Sequence, residues 1–162
     1  VEPIQISLLI LLVTAFVIYR QLRVRPTAGS AVLYTAAIMI GIGVVSGGLI
    51  DDRHLAVSVA MLLVEAGSAV ALGAWRAATV RVWMDDSGVT WSKATGWTML
   101  VWLASIASRV GLYFAGDYLG LTLSTGGILL FVGLTLGAQS YLVARRGRAL
   151  TGAARRPDNF VR

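Results

Sequence analysis

Two ionisable residues of this 162-residue chain, Glu65 and Arg109, stand inside runs that are otherwise apolar. A lone charge at the centre of a bilayer costs about 2.5–3.5 kcal/mol on the gentler insertion scale, so a charge placed there normally has a partner. The two runs are consecutive, which favours antiparallel packing, and a rise of about 1.5 Å per residue puts both residues within roughly one helical turn in depth. The spacing predicts a Glu65–Arg109 pair facing the interior of a helix bundle. Such a pair is either part of a proton or ion path, with Arg109 open to an anion, or a buried ionic contact that fixes the register of two helices. A proton path lacks stepping stones here, because no second acid stands in a span. Packing is therefore the stronger reading. Ser105 and Ser108 sit on the arginine's side of the same run, where they can add hydrogen bonds.

A second polar group, Asp51-Asp52-Arg53-His54, falls between two apolar runs, with Asp117 on the next turn of the same side. Asp51, Asp52 and His54 have the chemistry of divalent-metal ligands. Arg53 in their midst counts against a cation, and a hydrophilic turn is the plainer reading. Other chemistry is thinly represented. There is no Walker sequence, no GxSxG and no HExxH, and Gly41-Ile-Gly43 lies too deep in an apolar run to cradle a phosphate. The chain holds no cysteine and one histidine. That excludes disulfides, thiolate metal sites and thiol redox chemistry carried by the chain itself, and haem ligation by two of its own histidines. No catalytic residue and no cofactor is predicted, and an enzyme is the less expected class.

The surroundings of these residues are overwhelmingly apolar: 57% of residues are hydrophobic and 14% charged, against about 25% charged in a soluble domain. Lipid is the solvent that suits such a chain. Five apolar runs stand out, at 4–19, 30–50, 55–74, 98–115 and 119–144. About 20 helical residues cross a hydrocarbon core of about 30 Å, so each run reads as a span, the first being short. That first run has no basic leader and no small-residue cleavage site, so it reads as an anchor.

Loop charge sets the expected orientation. Arg20, Arg23, Arg25, Arg76, Arg81, Lys93, Arg145, Arg146, Arg148, Arg155, Arg156 and Arg162 all fall on one side, whereas Arg53 alone stands on the other beside Glu2, Asp51, Asp52 and Asp117. The positive-inside rule then puts the N-terminus outside and the tail in the cytoplasm. The net charge of +6 is a topology signal, since no basic helix face interleaved with aromatics suggests nucleic acid.

The one long loop, 75–97, carries a hairpin signature: β-branched runs flank Asp85-Asp-Ser-Gly as a four-residue turn. In that register Val80, Val82, Met84, Val89 and Trp91 share one face, and Arg81, Trp83, Thr90 and Ser92 the other. A lone hairpin is marginal in water, so it is expected to lie on the membrane surface, with Trp75, Trp83, Trp91 and Trp97 as interfacial anchors. The tail 145–162 is polar and arginine-rich, which predicts a disordered end that holds to anionic lipid at about 1 kcal/mol per charge.

Small residues recur at helical spacing. Gly43 and Gly47 form one GxxxG, and Gly133 and Gly137 another. They predict close helix packing, within the chain or between copies in a homo-oligomer.

Several stretches taken together look familiar: Gly48-Leu-Ile-Asp-Asp-Arg-His54, the segment from Gly73 to Trp83 containing Thr-Val-Arg-Val-Trp, Gly88-Val-Thr-Trp91, and Trp102 through Arg109. From about the second span to the end of the fifth, the chain resembles the CcdC-like family of small bacterial integral membrane proteins, in its actinobacterial form. By that resemblance Arg76, Arg81, Trp83, Trp91 and Arg109 are family-typical positions. The resemblance implies an association with cytochrome c biogenesis and brings no catalytic residues. A cysteine-free chain would serve there as an accessory.

These readings define an expectation: an all-α, five-span protein of the bacterial plasma membrane with one cytoplasmic β-hairpin. Its expected role is that of a non-enzymatic scaffold packing with other membrane proteins. A small transporter or channel built on Glu65 and Arg109 is the alternative.

Overall fold

The computed structural model describes residues 19, 23–27, 31–47, 49–50, 52–121 and 125–154. The first expected span, 4–19, lies outside them except for Tyr19, as do the end of the tail at 155–162 and Asp51. Four α-helices and a small sheet make up the described fold. Helix α1 is Ala31–Val45, α2 is Leu55–Thr79, α3 is Gly96–Tyr118 and α4 is Thr125–Ala154. Helices α2, α3 and α4 are long and apolar enough to cross a membrane. At about 1.5 Å per residue they measure roughly 37, 35 and 45 Å.

Helix α1 ends sooner than the apolar run that encodes it. The run continues to Ile50, but the helix stops at Val45 after 15 residues. Ser46 turns back on it, donating both its N–H and its hydroxyl to the Ile42 carbonyl at 2.8 and 2.6 Å. Gly47 follows at φ 71°, the left-handed geometry with which helices commonly stop and which glycine adopts without strain. Gly47 is thus a terminator and not the packing residue its GxxxG spacing suggests: nothing lies within 4 Å of where its Cβ would be.

Three sets of contacts fix the helix directions. A Cβ on Gly43 would meet Gly126 and Leu130, and one on Gly133 would meet Ala36 and Ile40, so α1 and α4 are antiparallel. Thr135 bonds to Ala69 and Arg146 to Ala77, so α2 and α4 run parallel. Glu65 meets Arg109 and Thr79 meets Thr98, so α2 and α3 are antiparallel. The directions alternate, gathering the ends of α2 and α4 with the starts of α1 and α3 at one end of the bundle. Among the described residues Arg23, Arg25, Arg76, Arg81, Lys93, Arg145, Arg146 and Arg148 stand at that end; Asp52, Arg53, His54 and Asp117 stand at the other.

Among the described residues the core is built mostly from small side chains, with Phe131 the large apolar exception. Ala36, Ala69, Ala77, Thr98, Val101 and Thr135 are buried, and Thr98 is the largest side chain with essentially no exposure. Small residues let backbones approach, which is how helices associate where lipid removes the hydrophobic drive between them. Long apolar side chains point outward instead: Leu63 of α2 is 68% exposed, Leu103 of α3 60% and Phe114 64%.

The expected two-stranded hairpin is part of a three-stranded antiparallel sheet. Strands β2 (Arg81–Met84) and β3 (Thr90–Lys93) form the hairpin, and β1 (Arg25–Pro26) adds to the free side of β3. Pro26 stands on an edge strand, where its missing N–H is tolerated. The register also differs from the expected one. Asp85 N–H donates to the Val89 carbonyl at 2.9 Å and Gly88 N–H to the Asp85 carbonyl at 3.0 Å, so Asp85 and Val89 are paired. The loop is therefore three residues, with Gly88 at φ 80°, a type I turn completed by a left-handed glycine. Met84 pairs with Thr90 and Trp83 with Trp91. Paired residues share a face, so the two tryptophans lie together, and Val82, Met84, Thr90 and Ser92 occupy the opposite face.

The segment after 144 is not a disordered tail as far as Ala154, because α4 runs unbroken to that residue. Its last turns carry the sheet. Gly147 is buried where a Cβ would collide with the Thr27 and Thr90 hydroxyls. Those hydroxyls are hydrogen-bonded to each other, and Thr27 N–H donates to the Thr90 carbonyl at 2.9 Å. The hairpin thus has a packed protein surface behind it: Ala77, Val80 and Val143 form a core cluster with Val82 and Leu142 against it.

Candidate functional site

Glu65 lies about 15 Å from the start of α2 and Arg109 about 14 Å from the end of α3, at one depth in the bundle. The Arg109 guanidinium donates to the Glu65 carboxylate at 2.5 Å, and both side chains are more than four-fifths buried. The guanidinium also stands over the ring of Phe131 on α4, 5.5 Å from its centroid, a distance at which a cation is attracted by the ring face. Three helices therefore meet at one ionic contact. Of the nearby serines, Ser105 is buried and donates to the Val101 carbonyl of its own helix at 2.9 Å.

A second polar centre joins α2 to α3 at the sheet end. Thr95 caps α3, exchanging bonds with Thr98 in a capping box. Its hydroxyl also donates to the Thr79 carbonyl at 2.9 Å, and the Thr79 hydroxyl lies 2.8 Å from the Arg76 carbonyl and 3.1 Å from the Thr98 hydroxyl. On the other side of α2, Arg146 donates to the Ala77 and Val80 carbonyls at 2.6 and 2.9 Å. Helix ends leave carbonyls without intrahelical partners, and a cation there opposes the negative end of the helix dipole.

Arg76 departs most from its sequence reading. It was expected at a membrane interface with the hairpin, but its side chain is 2% exposed and its Nε is buried without a hydrogen-bond partner. Gln139 Oε1 on α4 is likewise buried and unpartnered. Buried polar atoms are hydrogen-bonded in the great majority of cases, so both exceptions mark places to which a ligand or water would be drawn. Nothing in the residue pattern separates Arg76 from the other arginines flanking the spans.

The hairpin tip is organised by Asp85, whose carboxylate accepts from Ser87 N–H, the Ser87 hydroxyl, Val89 N–H and the Trp91 indole at 2.6–3.0 Å. The Ser87 hydroxyl first, then the Trp91 indole and the two backbone N–H groups hold this carboxyl down to about 2, below its ordinary 3.8. Arg81 is exposed, whereas Trp83 and Trp91 are half-buried.

Among the packing glycines, Gly43 and Gly133 sit where backbone of the facing helix comes within 2.8–3.0 Å of a would-be Cβ, while Gly137 has only an ordinary 3.5 Å contact with Ala36. Gly73, outside any GxxxG, is tighter, at 2.5 Å from the Thr135 carbonyl oxygen. Of the metal candidates, Asp51 lies outside the described residues and Asp52–His54 form one turn of 3₁₀ helix. No group of three or more acidic or histidine side chains gathers among the described residues.

No protein-family model, curated protein or solved structure matches the chain.

Proposed function

We propose that the chain is a multi-pass protein of the bacterial plasma membrane that acts without catalysis, as an accessory or scaffold for other membrane proteins. The observation that carries this reading is the lopsided placement of α3. It packs along α2 but forms no extensive interface with α1 or α4 among the described residues. It also presents Trp97, Leu100, Leu103, Val110 and Phe114 outward. A helix held along one side has apolar faces left for lipid or for a partner's helices. Within this proposal the fold has five spans, with the cation-rich sheet end in the cytoplasm by the positive-inside rule. The resemblance to the CcdC-like family adds cytochrome c maturation as the setting.

Mild native extraction of the tagged protein followed by mass spectrometry tests it. Stoichiometric recovery of other membrane proteins is expected, and recovery of the chain alone would overturn it. Orientation is tested separately by single cysteines, which the cysteine-free chain makes unambiguous: Ser87→Cys should label only from the cytoplasm and Asp117→Cys only from outside.

The buried Glu65–Arg109 contact supports a second reading, a small transporter or channel. Uptake or conductance that survives neutralising both residues would sink it.

A further inference from the structure

A cavity of about 600 Å³ opens at the sheet end, between α1, α4, the edge of the sheet and Trp102 of α3. That volume falls in the roughly 300–1,000 Å³ range of small-molecule sites. Its walls differ along its depth. Val32, Val132 and Leu136 line the part between the helices, while Arg23 and Arg25 line the part beside the sheet. Among the described residues Trp102 comes from a helix that makes no extensive interface with α1 or α4, so packing between these helices does not close the gap.

Two further observations bear on the occupant. Gln139 lines the cavity and holds a buried acceptor oxygen that lacks a donor. Arg76, 2% exposed and with an unpartnered Nε, stands in the last turn of α2, and its carbonyl accepts at 3.2 Å from the N–H of the lining residue Val80 just past the helix end. It adds a cation to the same end of the bundle. Apolar walls leading to a cationic, donor-seeking end complement an amphiphile with an anionic, hydroxyl-bearing head.

We propose that this cavity is a binding site for one anionic phospholipid, its phosphate held by Arg23 and Arg25, its chain lying along Val32, Val132 and Leu136, and a headgroup hydroxyl donating to Gln139. The assignment rests on the membrane reading above and gives it a specific ligand. Phosphatidylcholine carries the same phosphate, so the choice of headgroup rests on the hydroxyl that Gln139 can accept from and on the absence of a choline cation, which Arg23 and Arg25 would repel. The apolar walls distinguish a lipid from a free anion.

The test uses the full chain in bilayer discs containing phosphatidylglycerol and phosphatidylcholine with the same acyl chains. Extraction into detergent and native mass spectrometry follow. One phosphatidylglycerol per chain is expected to survive extraction, and phosphatidylcholine is not. Retention should fall at least tenfold in the double variant Arg23→Gln/Arg25→Gln and stay unchanged in Arg148→Gln, which removes an exposed charge at the same end outside the cavity. Ser140→Tyr fills the cavity without altering its charge and should also lose the lipid, while the helical circular dichroism of each variant reports folding. Equal retention of both lipids, retention in Ser140→Tyr, equal loss in Arg148→Gln, or displacement by millimolar inorganic phosphate would each overturn the site. A chain that stays with the membrane under alkaline carbonate but retains no lipid overturns the site alone; a chain that carbonate releases overturns the membrane reading.

Discussion

Arg109 reaches Glu65 from the facing helix at 2.5 Å, and the two side chains neutralise each other at the middle of two antiparallel helices. Among the described residues the pair joins α2 to α3 at mid-length, while Thr79, Thr95 and Thr98 join them at the sheet end.

Removing one member strands the other. Glu65→Gln or Arg109→Gln should lower stability in detergent by about 3–5 kcal/mol, the usual cost of leaving a buried charge unpaired. The double replacement Glu65→Gln/Arg109→Gln should cost much less than the two single changes summed. Denaturant titrations of the four proteins measure the coupling; additive effects would show that the two charges act independently.

Glycines at the helix crossings should tolerate no methyl group. Gly73→Ala and Gly43→Ala push a Cβ to 2.5 and 2.8 Å from the carbonyl oxygens of Thr135 and Gly126, and overpacking of this kind costs about 1–3 kcal/mol. Gly67→Ala, with nothing within 4 Å, should be neutral or stabilising by up to about 1 kcal/mol, since alanine is the better helix former. Thermal melts in one detergent rank the three.

Acid should loosen the hairpin tip through Asp85. Its carboxyl is held below its ordinary 3.8, at about 2, by the Ser87 hydroxyl, then the Trp91 indole and the backbone N–H groups of the turn. A depressed carboxyl contributes stability that is complete above the unfolded value and is lost as pH falls through the folded one. The loss is therefore expected between about pH 4 and pH 2. The protection of the Ser87 and Val89 amides, taken relative to the intrinsic exchange rate at each pH, should fall down that range, and Asp85→Asn should remove this change in protection.

Arg146 should matter far more than its neighbour Arg145. Replacing Arg146 with Gln removes the bonds to the Ala77 and Val80 carbonyls; hydrogen bonds to charged groups contribute about 1.5–3 kcal/mol each. Exchange protection at the junction of α2 and β2 should fall in Arg146→Gln and stay unchanged in Arg145→Gln. Equal effects would mean that charge alone, without the cap, holds this end.

Depth along a helix is simple arithmetic on sequence, so the levels of Glu65 and Arg109 are legible from spacing and a fixed rise. The β-branched runs around Asp85 announce a hairpin for the same reason, since local pattern determines local structure. Its register is not legible, because it depends on whether Asp85 and Val89 pair. The Asp85 side chain decides that by bonding to Ser87, Val89 and Trp91 together. Strand β1 is two residues long and exists only because β3 offers it an edge, so no propensity reveals it. Helix α4 passes the polar boundary at Ala144 because Gly147 fits against Thr27 and Thr90, a tertiary contact between segments far apart in the chain. Arg76 is hidden for the related reason that burial is decided by what packs over a residue and not by its type.

The shortness of α1 has a consequence for the lipid around it. Fifteen residues cover about 22 Å, whereas α4, which packs along it, has length to spare for a hydrocarbon layer of about 30 Å. With α1 as one of the spans proposed above, acyl chains next to it have to shorten or tilt to meet its ends, while those next to α2 and α3 need not. One flank of the protein would then carry a permanent dimple in the membrane. Each ångström of such mismatch costs a fraction of a kcal/mol. Two chains that brought their α1 flanks together would share a single dimple, an attraction requiring no contact between their side chains.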